Sequence, residues 1–184
     1  MQAASLESVY QQYQQSKDWA NEQIGLDLKS LVASTSGNAL LTAKSLLVGH
    51  LMEKGGGNNY NSALTTATAI IQSNSGTWQA VLASIDKAAI LGFLNQQTNS
   101  LQAAQEGLNI LNSVQLNDLN DPFFVQFLTA TASDRSDFKD ALLSIIARIY
   151  IDQNNGPQAD VYINQIADTA VKSKDQRLRN RIGQ

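Results

Sequence analysis

The stretch LLSIIARIYIDQNNGPQADVYINQIAD, residues 142–168, contains two apolar helical segments separated by a polar turn. Its large side chains recur three and four positions apart on both sides of DQNNGP, which is the spacing of an amphipathic helix. Pro157 follows Gly156, and proline fits the first turn of a helix because the N–H that it lacks would have no partner there. The stretch therefore predicts a helical hairpin with its corner at residues 152–157.

The same periodicity runs through the rest of the chain. Further apolar stripes begin near positions 39, 60, 77, 100, 122 and 137, and residues 5–33 indicate one long helix or two abutting helices. We assign Thr77 and Ser100 as N-caps, because a hydroxyl there can accept an orphan backbone N–H, and Pro122 to a first helical turn. No segment shows a period of two, so the sequence predicts an all-α protein of seven to nine helices.

Two hairpins space small and bulky side chains so that their helices can approach closely and fill the groove between them. The residues are Leu143, Ile146, Ala147, Tyr150, Ala159 and Ile163 in one hairpin, and Leu91, Gly92, Ala104 and Leu108 in the other. This pattern resembles the tetratricopeptide repeat over residues 39–171. The resemblance implies antiparallel hairpins stacked as a right-handed array, with an irregular helical bundle as the alternative.

We expect one all-helical domain over residues 1–184, because a chain of this length can bury a continuous core. Residues 1–38 form an N-terminal helical or capping region, residues 39–171 the hairpin array and residues 172–184 a basic end. The Gln-rich YQQYQQ within the first region could shield the end of the array or support self-association.

The composition excludes several classes of function. Charged residues make up 16% of the chain and the net charge is −3, which offers no strong field for nucleic acid or anionic lipid. There are no cysteines, so disulfides, thiolate metal sites and thiol nucleophiles are excluded. No apolar run is long enough to span a membrane, and the amino terminus lacks the features of a signal peptide. We expect a soluble protein and favour the cytoplasm, although the compartment stays undecided.

The glycine run in MEKGGGNNYNSAL, residues 52–64, has two interpretations. A phosphate-binding P-loop needs a Lys-Ser or Lys-Thr pair after its last glycine and a preceding strand. Here Asn58 follows the glycines and the preceding segment is helical. We therefore interpret Gly55–Gly57 as the end of a helix, where glycine adopts a left-handed conformation at little cost.

DQNNGPQAD, residues 152–160, resembles the opening of a calcium loop. An EF-hand places glycine sixth and a bidentate glutamate twelfth. Counting from Asp152, the glycine is fifth and the twelfth residue is Ile163. We interpret this stretch as a turn, and we expect no metal and no cofactor in this protein.

His50 is the single histidine and the centre of the one enzyme hypothesis. A hydrolase of the Ser-His-Asp kind would have to be built around it. The segment LLVGHLMEK places this histidine within an amphipathic helix, where a half-buried packing role is the alternative. We expect a protein that is not an enzyme.

Carboxylates occur in close pairs: Asp118 with Asp121, Asp134 with Asp137, and Asp137 with Asp140. A hydrolytic pair must face one cleft. Because these residues lie near predicted helix starts, we interpret them as caps that complement the helix dipole.

Two further segments are candidates for binding a partner protein. The end VKSKDQRLRNRIGQ concentrates five basic residues, Lys172, Lys174, Arg177, Arg179 and Arg181, which could bind an acidic partner or could be a solvated helix end. The aromatic stretch DPFFVQFL, residues 121–128, is expected in the core, and an exposed ring there would anchor a partner.

The resemblance to the tetratricopeptide repeat implies a scaffold or adaptor that binds a partner protein or peptide in a groove lined by the first helix of each hairpin. We assign Asn95, Gln96, Arg148 and Asp152 as groove residues, together with the five basic residues of the C-terminal end. A structural subunit of a larger assembly, such as a secretion machine or viral particle, is the alternative, and a hydrolase using His50 is a third hypothesis.

Overall fold

The computed structural model describes residues 4–114 and 135–182. Within these ranges the chain forms nine α-helices and no strand, which confirms the all-α prediction. The helices are α1 Leu6–Ser16, α2 Glu22–Ser34, α3 Gly37–Lys54, α4 Gly57–Ser73, α5 Trp78–Phe93, α6 Gln97–Ser113, α7 Arg135–Asp152, α8 Gly156–Ile163 and α9 Thr169–Arg179. Of the two alternatives for residues 5–33, the structure shows two helices.

Helices that are joined by short turns pack on each other, and α5 also packs directly against both α3 and α7. The Gln79 side chain at the start of α5 donates to Asn38 Oδ1 at 2.8 Å and to Thr42 Oγ1 at 3.3 Å, near the start of α3. The amino-terminal ends of α3 and α5 therefore lie side by side. At the other end of α5, Phe93 stacks on Tyr60 at the start of α4, so α4 and α5 are antiparallel.

Small residues set the spacing of the helices in the main core, which is built from α3 to α7. A Cβ on Gly107 of α6 would lie 2.7 Å from Leu142 Cδ2 of α7 and 3.0 Å from Ser84 Cβ of α5. Those distances are below normal contact, so only glycine lets the three helices meet at this point. The buried alanines of α5 and α6 extend the same close approach along both helices.

The glycine run forms the corner between α3 and α4, as predicted. Gly55 ends α3 with φ 66° and ψ −177°, and Gly56 precedes α4 with φ 84°. Both conformations are accessible essentially to glycine alone. The Asn59 side chain donates to the Gly55 carbonyl at 2.7 Å and closes the corner.

The turn between α7 and α8 is also the predicted hairpin corner. Asn154 adopts a left-handed conformation with φ 56°, and the Asn155 side chain caps α8 by accepting from the Gln158 N–H at 3.2 Å. Pro157 lies in the first turn of α8, as predicted.

One predicted cap is confirmed and the other is wrong. Thr77 caps α5 by accepting from the Ala80 N–H at 3.3 Å. Ser100 lies inside α6, which begins at Gln97, and its buried hydroxyl donates to the Ala88 carbonyl at 2.7 Å. The hydroxyl therefore joins two helices instead of capping one.

The second helical segment predicted within residues 142–168 ends earlier than the sequence indicates, because the chain breaks between α8 and α9. The buried Asp140 carboxylate of α7 accepts the N–H groups of Ala167, at 3.0 Å, and Asp168, at 2.7 Å. Asp168 then caps α9. Asp140 thus holds a distant segment and is not a cap of its own helix, whereas Asp137 lies in the first turn of α7.

The remaining caps and the aromatic stretch predicted for residues 118–134 lie outside the described residues. These are Asp118, Asp121, Pro122, Phe123, Phe124, Phe127 and Asp134.

Candidate partner-binding groove

An open groove of about 300 Å³ lies between α4 and α6, with α5 as its floor. Leu64 and Thr68 of α4 form one wall, and Lys87 and Leu91 of α5 contribute the floor. The other wall consists of Gln96, Asn99, Gln102, Ala103 and Glu106, from α6 and the turn before it. The groove thus combines an apolar base with a polar wall.

The position of α6 follows from its contact with α5. Ser100 bonds to the Ala88 carbonyl, and a Cβ on Gly92 would lie only 3.7 Å from the Ser100 hydroxyl, so the two helices are close at this point. Residues three and four apart share a helix face. With Ser100 turned toward α5, Asn99, Ala103 and Glu106 fall on the neighbouring face and line the groove.

The polar wall carries three exposed, uncharged amides. Asn99 Nδ2 donates to Gln96 Oε1 at 2.9 Å on the surface of the protein, and Gln102 lies one turn further along. An amide offers both donors and acceptors. Such side chains match the alternating N–H and C=O groups of a peptide backbone.

One ion pair lies at the far end of the groove. Lys87 Nζ of the floor is 3.5 Å from Glu106 Oε2 of the wall, and both side chains are partly exposed. A pair of this kind adds little to stability. Its consequence is for the charge of the groove. Lys87 is the one cation and Glu106 the one anion among the lining residues, so their charges compensate each other.

An aromatic shelf is formed by Tyr60, at the start of α4, and Phe93, at the end of α5. The Phe93 ring is 60% exposed and stacks on Tyr60 with ring centroids 5.7 Å apart. Tyr60 is one turn before the groove residue Leu64, so the two side chains lie on the same face of α4. Exposed aromatic rings of this kind are common anchors in protein interfaces.

The four residues assigned to a groove from the sequence are separated in the structure. Gln96 lines the groove, and Asn95 is exposed beside it in a left-handed conformation with φ 58°. Arg148 and Asp152 lie on α7, where Arg148 bonds to Asp175 of α9 and Asp152 is exposed. This groove lies mainly between α4 and α6, which follow α3 and α5 in their hairpins, and so is not lined by the first helix of each hairpin.

Sequence reasoning missed Thr68, Asn99 and Gln102 as groove residues, and it missed the stacking of the exposed Phe93 ring on Tyr60. A signal was present in NQQTNSLQ, residues 95–102, which places five amide side chains within eight positions. Whether these amides line a groove depends on which helix packs beside α6, and helical periodicity does not reveal that neighbour.

The five basic residues of the C-terminal end all lie in α9 or just after it. Arg179 forms a two-point ion pair with Asp160 of α8, and Lys172 Nζ donates to the Asn164 carbonyl at 3.3 Å. Lys174, Arg177 and Arg181 are exposed.

His50 is buried between α2 and α3, with 2% of its surface exposed. Its Nδ1–H donates to the Trp19 carbonyl at 2.6 Å, and its ring lies directly on Gly25, where a Cβ would be 2.3 Å from Nε2. This geometry supports a packing role for His50, since both sides of the ring are occupied by the protein.

Asp86 of α5 is a buried carboxyl that the sequence did not single out. Burial raises the pKa of Asp86 to about 7, and the neighbouring charge of Glu53 acts in the same direction. Asp86 does not line the groove. Its protonation therefore bears on the stability of the fold and not on the groove.

Among residues 4–114 and 135–182, no three His, Cys, Asp or Glu side chains converge in a way that could hold a metal ion. None of the helices in the same ranges is both long and apolar enough to cross a membrane.

Comparison of the chain with protein-family models, curated proteins and solved structures gave no match. The helical architecture of the described residues is compatible with a helical repeat. The similarity to the tetratricopeptide repeat therefore rests on the spacing of small and bulky residues in the sequence.

Proposed function

We propose that this chain is a non-catalytic interaction module that binds an extended peptide segment of a partner protein in the groove between α4 and α6. The observation that carries the proposal is the row of exposed amides, Gln96, Asn99 and Gln102, along one wall of an open groove. Amides bond a peptide backbone whatever its side chains are. Recognition then depends on the shape and apolar floor of the groove.

The apolar part of the groove adds the driving force for binding. Leu91 and Ala103 are buried in the free protein, whereas Leu64 remains partly exposed. A bound apolar side chain would remove Leu64 from water, which is favourable in proportion to the area covered. Because Lys87 and Glu106 compensate each other, the peptide that fits best is uncharged where it crosses the floor.

The aromatic shelf extends this site beyond the groove. Phe93 is already ordered by its stacking on Tyr60, so a partner side chain that covers it loses little additional conformational freedom. A bulky apolar residue at one end of the peptide fits this position.

We further propose that the hairpins α3–α4, α5–α6 and α7–α8 stack as a right-handed, tetratricopeptide-like array. The direct packing of α3 on α5 and of α5 on α7 supports this arrangement, since stacked hairpins place their first helices side by side. An experimental structure of the whole chain tests it, and left-handed or irregular stacking would contradict it.

The binding proposal is tested by selecting ligands from a displayed library of random peptides against the purified chain. The affinity of a selected synthetic peptide is then measured by fluorescence anisotropy for the wild type and two groove variants, Thr68→Arg and Gln102→Ala. We expect Thr68→Arg to weaken binding about tenfold or more, because its side chain fills the groove. Gln102→Ala should weaken binding severalfold through loss of about one hydrogen bond.

The matched controls are Thr65→Arg and Gln105→Ala, which change the same residue types at exposed positions of the same helices outside the groove. Both should bind as the wild type does. Equal weakening by the controls, or selection of no peptide at all, would contradict the proposal. Circular dichroism of each variant confirms that a lost affinity is not lost folding.

A further inference from the structure

The basic residues of the C-terminal end fall into two sets, which differ in the direction of their side chains. Residues 169–182 carry five of the 13 basic residues of the chain and only one of its 16 acidic residues. Arg179 and Lys172 are turned toward α8, whereas Lys174, Arg177 and Arg181 are turned to solvent. The two sets therefore have different roles.

Arg179 is part of the fold. Its Nε donates to Asp160 Oδ1 at 3.1 Å and its Nη2 donates to Asp160 Oδ2 at 2.9 Å, which is the fork geometry of a specific arginine–carboxylate pair. A Cβ on Gly156 would lie 2.7 Å from Arg179 Cζ, so the guanidinium also packs on the start of α8. Arg179 is thus not available to a partner.

Lys174, Arg177 and Arg181 form one exposed face, which we call the cationic face of α9. Their positions i, i+3 and i+7 place them on one side of the helix and of the turn that continues it. They make no ion pair with any residue in the described ranges. Arg177 lies in the last turn of α9, where a cation complements the helix dipole, but like charges three and four positions apart repel each other.

The carboxylates nearest to α9 are already engaged with other groups. Asp160 pairs with Arg179, Asp175 pairs with Arg148, Asp140 accepts the N–H groups of residues 167 and 168, and Asp168 caps α9. Among the described residues, no carboxylate therefore neutralises the positive charge of the cationic face.

We propose that the cationic face of α9 docks an acidic helical segment of a partner protein. Its three cations extend over about 10 Å, since a helix rises about 1.5 Å per residue. Carboxylates spaced i, i+3 or i+4, and i+7 on a facing helix match that length. This surface is separate from the groove, so the proposal holds whether or not the groove binds a peptide.

The charge distribution favours an acidic protein segment over a nucleic acid. The rest of the chain carries eight basic and 15 acidic residues, so a long polyphosphate would be repelled wherever it extended beyond α9. Residues 169–182 also contain no aromatic side chain on which a base could stack. A short acidic helix, unlike a long polyphosphate, contacts only the cationic face.

The test uses the full chain and two labelled, helix-forming peptides of identical composition. One peptide carries glutamates at i, i+3 and i+7, and its isomer spreads the same glutamates around the helix. We expect the chain to bind the first peptide more tightly, with an affinity that falls as salt is raised. Replacement of all three cations by glutamine (Lys174→Gln, Arg177→Gln and Arg181→Gln) should weaken binding about tenfold.

The control variant removes three exposed lysines elsewhere, with Lys17→Gln, Lys29→Gln and Lys139→Gln, and so has the same net charge as the test variant. It should retain the wild-type affinity. Three results would overturn the proposal: equal weakening in the control, equal binding of the two peptide isomers, or tighter binding of an oligonucleotide of matched charge or of anionic vesicles. Circular dichroism shows whether each variant is folded.

Discussion

Arg148 Nε donates to Asp175 Oδ1 at 2.8 Å and thereby joins α7 to α9 through a carboxylate that is wholly buried. The arginine side chain remains 40% exposed. Asp175 Oδ2 has no hydrogen-bond partner among the described residues. The contact between α7 and α9 thus includes an ion pair whose arginine is partly exposed and whose carboxylate is buried.

Arg148→Met should destabilise the protein by about 2 kcal/mol, because it leaves the Asp175 carboxylate buried and unpaired. Adding Asp175→Leu should recover most of that loss, since an apolar pair of similar volume carries no desolvation cost. Urea unfolding of both variants checks this. Arg177→Met, at an exposed position of α9, is the control and should change the free energy of unfolding by less than about 0.5 kcal/mol. A double variant less stable than Arg148→Met would contradict the prediction.

Gly25→Ala should cost about 1–3 kcal/mol, because the new methyl group would overlap the His50 ring, which lies 2.3 Å from that position. The matched control is Gly49→Ala in α3, where nothing lies within 4 Å. That variant should be as stable as the wild type or more so, since alanine favours a helix. Thermal unfolding measures both, and similar melting temperatures for the two variants would refute the predicted packing of His50 on α2.

Asp86 should make the protein less stable as the pH rises. Its pKa is about 7 in the folded protein, against 3.8 in the unfolded chain. Between these values the folded state binds the extra proton, so its contribution to stability is complete below pH 3.8 and is lost as the pH rises through about 7. The loss is on the order of a few kcal/mol.

Asp86→Asn should remove this component of the pH dependence, because an amide does not titrate. The measurement is urea unfolding at a series of pH values for the wild type, Asp86→Asn and the exposed control Asp152→Asn. The control should follow the wild-type curve. If Asp86→Asn kept the wild-type slope between pH 4 and 7, Asp86 would not be its source.

Gly55→Ala should destabilise the protein by about 1–3 kcal/mol, whereas Gly57→Ala should be neutral or slightly stabilising. Gly55 has φ 66° and ψ −177°, a conformation that a Cβ disfavours whatever the surrounding space. Gly57 is the first residue of α4, and nothing lies within 4 Å of its Cβ position. Chemical denaturation of the two variants separates backbone strain from a general effect of losing glycine. An equal loss of unfolding free energy at both positions would contradict the assignment of strain to Gly55.

Helical periodicity predicted the elements of this protein well, because each stripe of apolar residues depends only on neighbours three and four positions away. The corners at Gly55 and at Asn154–Gly156 were predicted for the same local reason. The errors arose where a side chain bonds to a distant segment. Ser100 has the residue type of a cap, and Asp140 has the spacing of one, yet both bond to groups that helix packing brings near.

The candidate site was predicted in part. Gln96 was assigned to a groove and lines one, whereas Arg148 was assigned to the same groove and instead holds Asp175. Both are polar residues on or near helices of the predicted array. Their difference lies in which neighbouring helix each one meets, and residue type does not carry that information.

The sequence by itself determined that this chain is helical and where most of its helices turn, since backbone propensity, apolar spacing and glycine conformation act within a few residues. The tertiary structure alone decided which amides share a wall, which cations remain exposed and which carboxyl is buried deeply enough to hold its proton. Those properties arise when helices far apart in the chain exclude water from one another. They therefore depend on the packing of the helices, which forms only when the segments fold together.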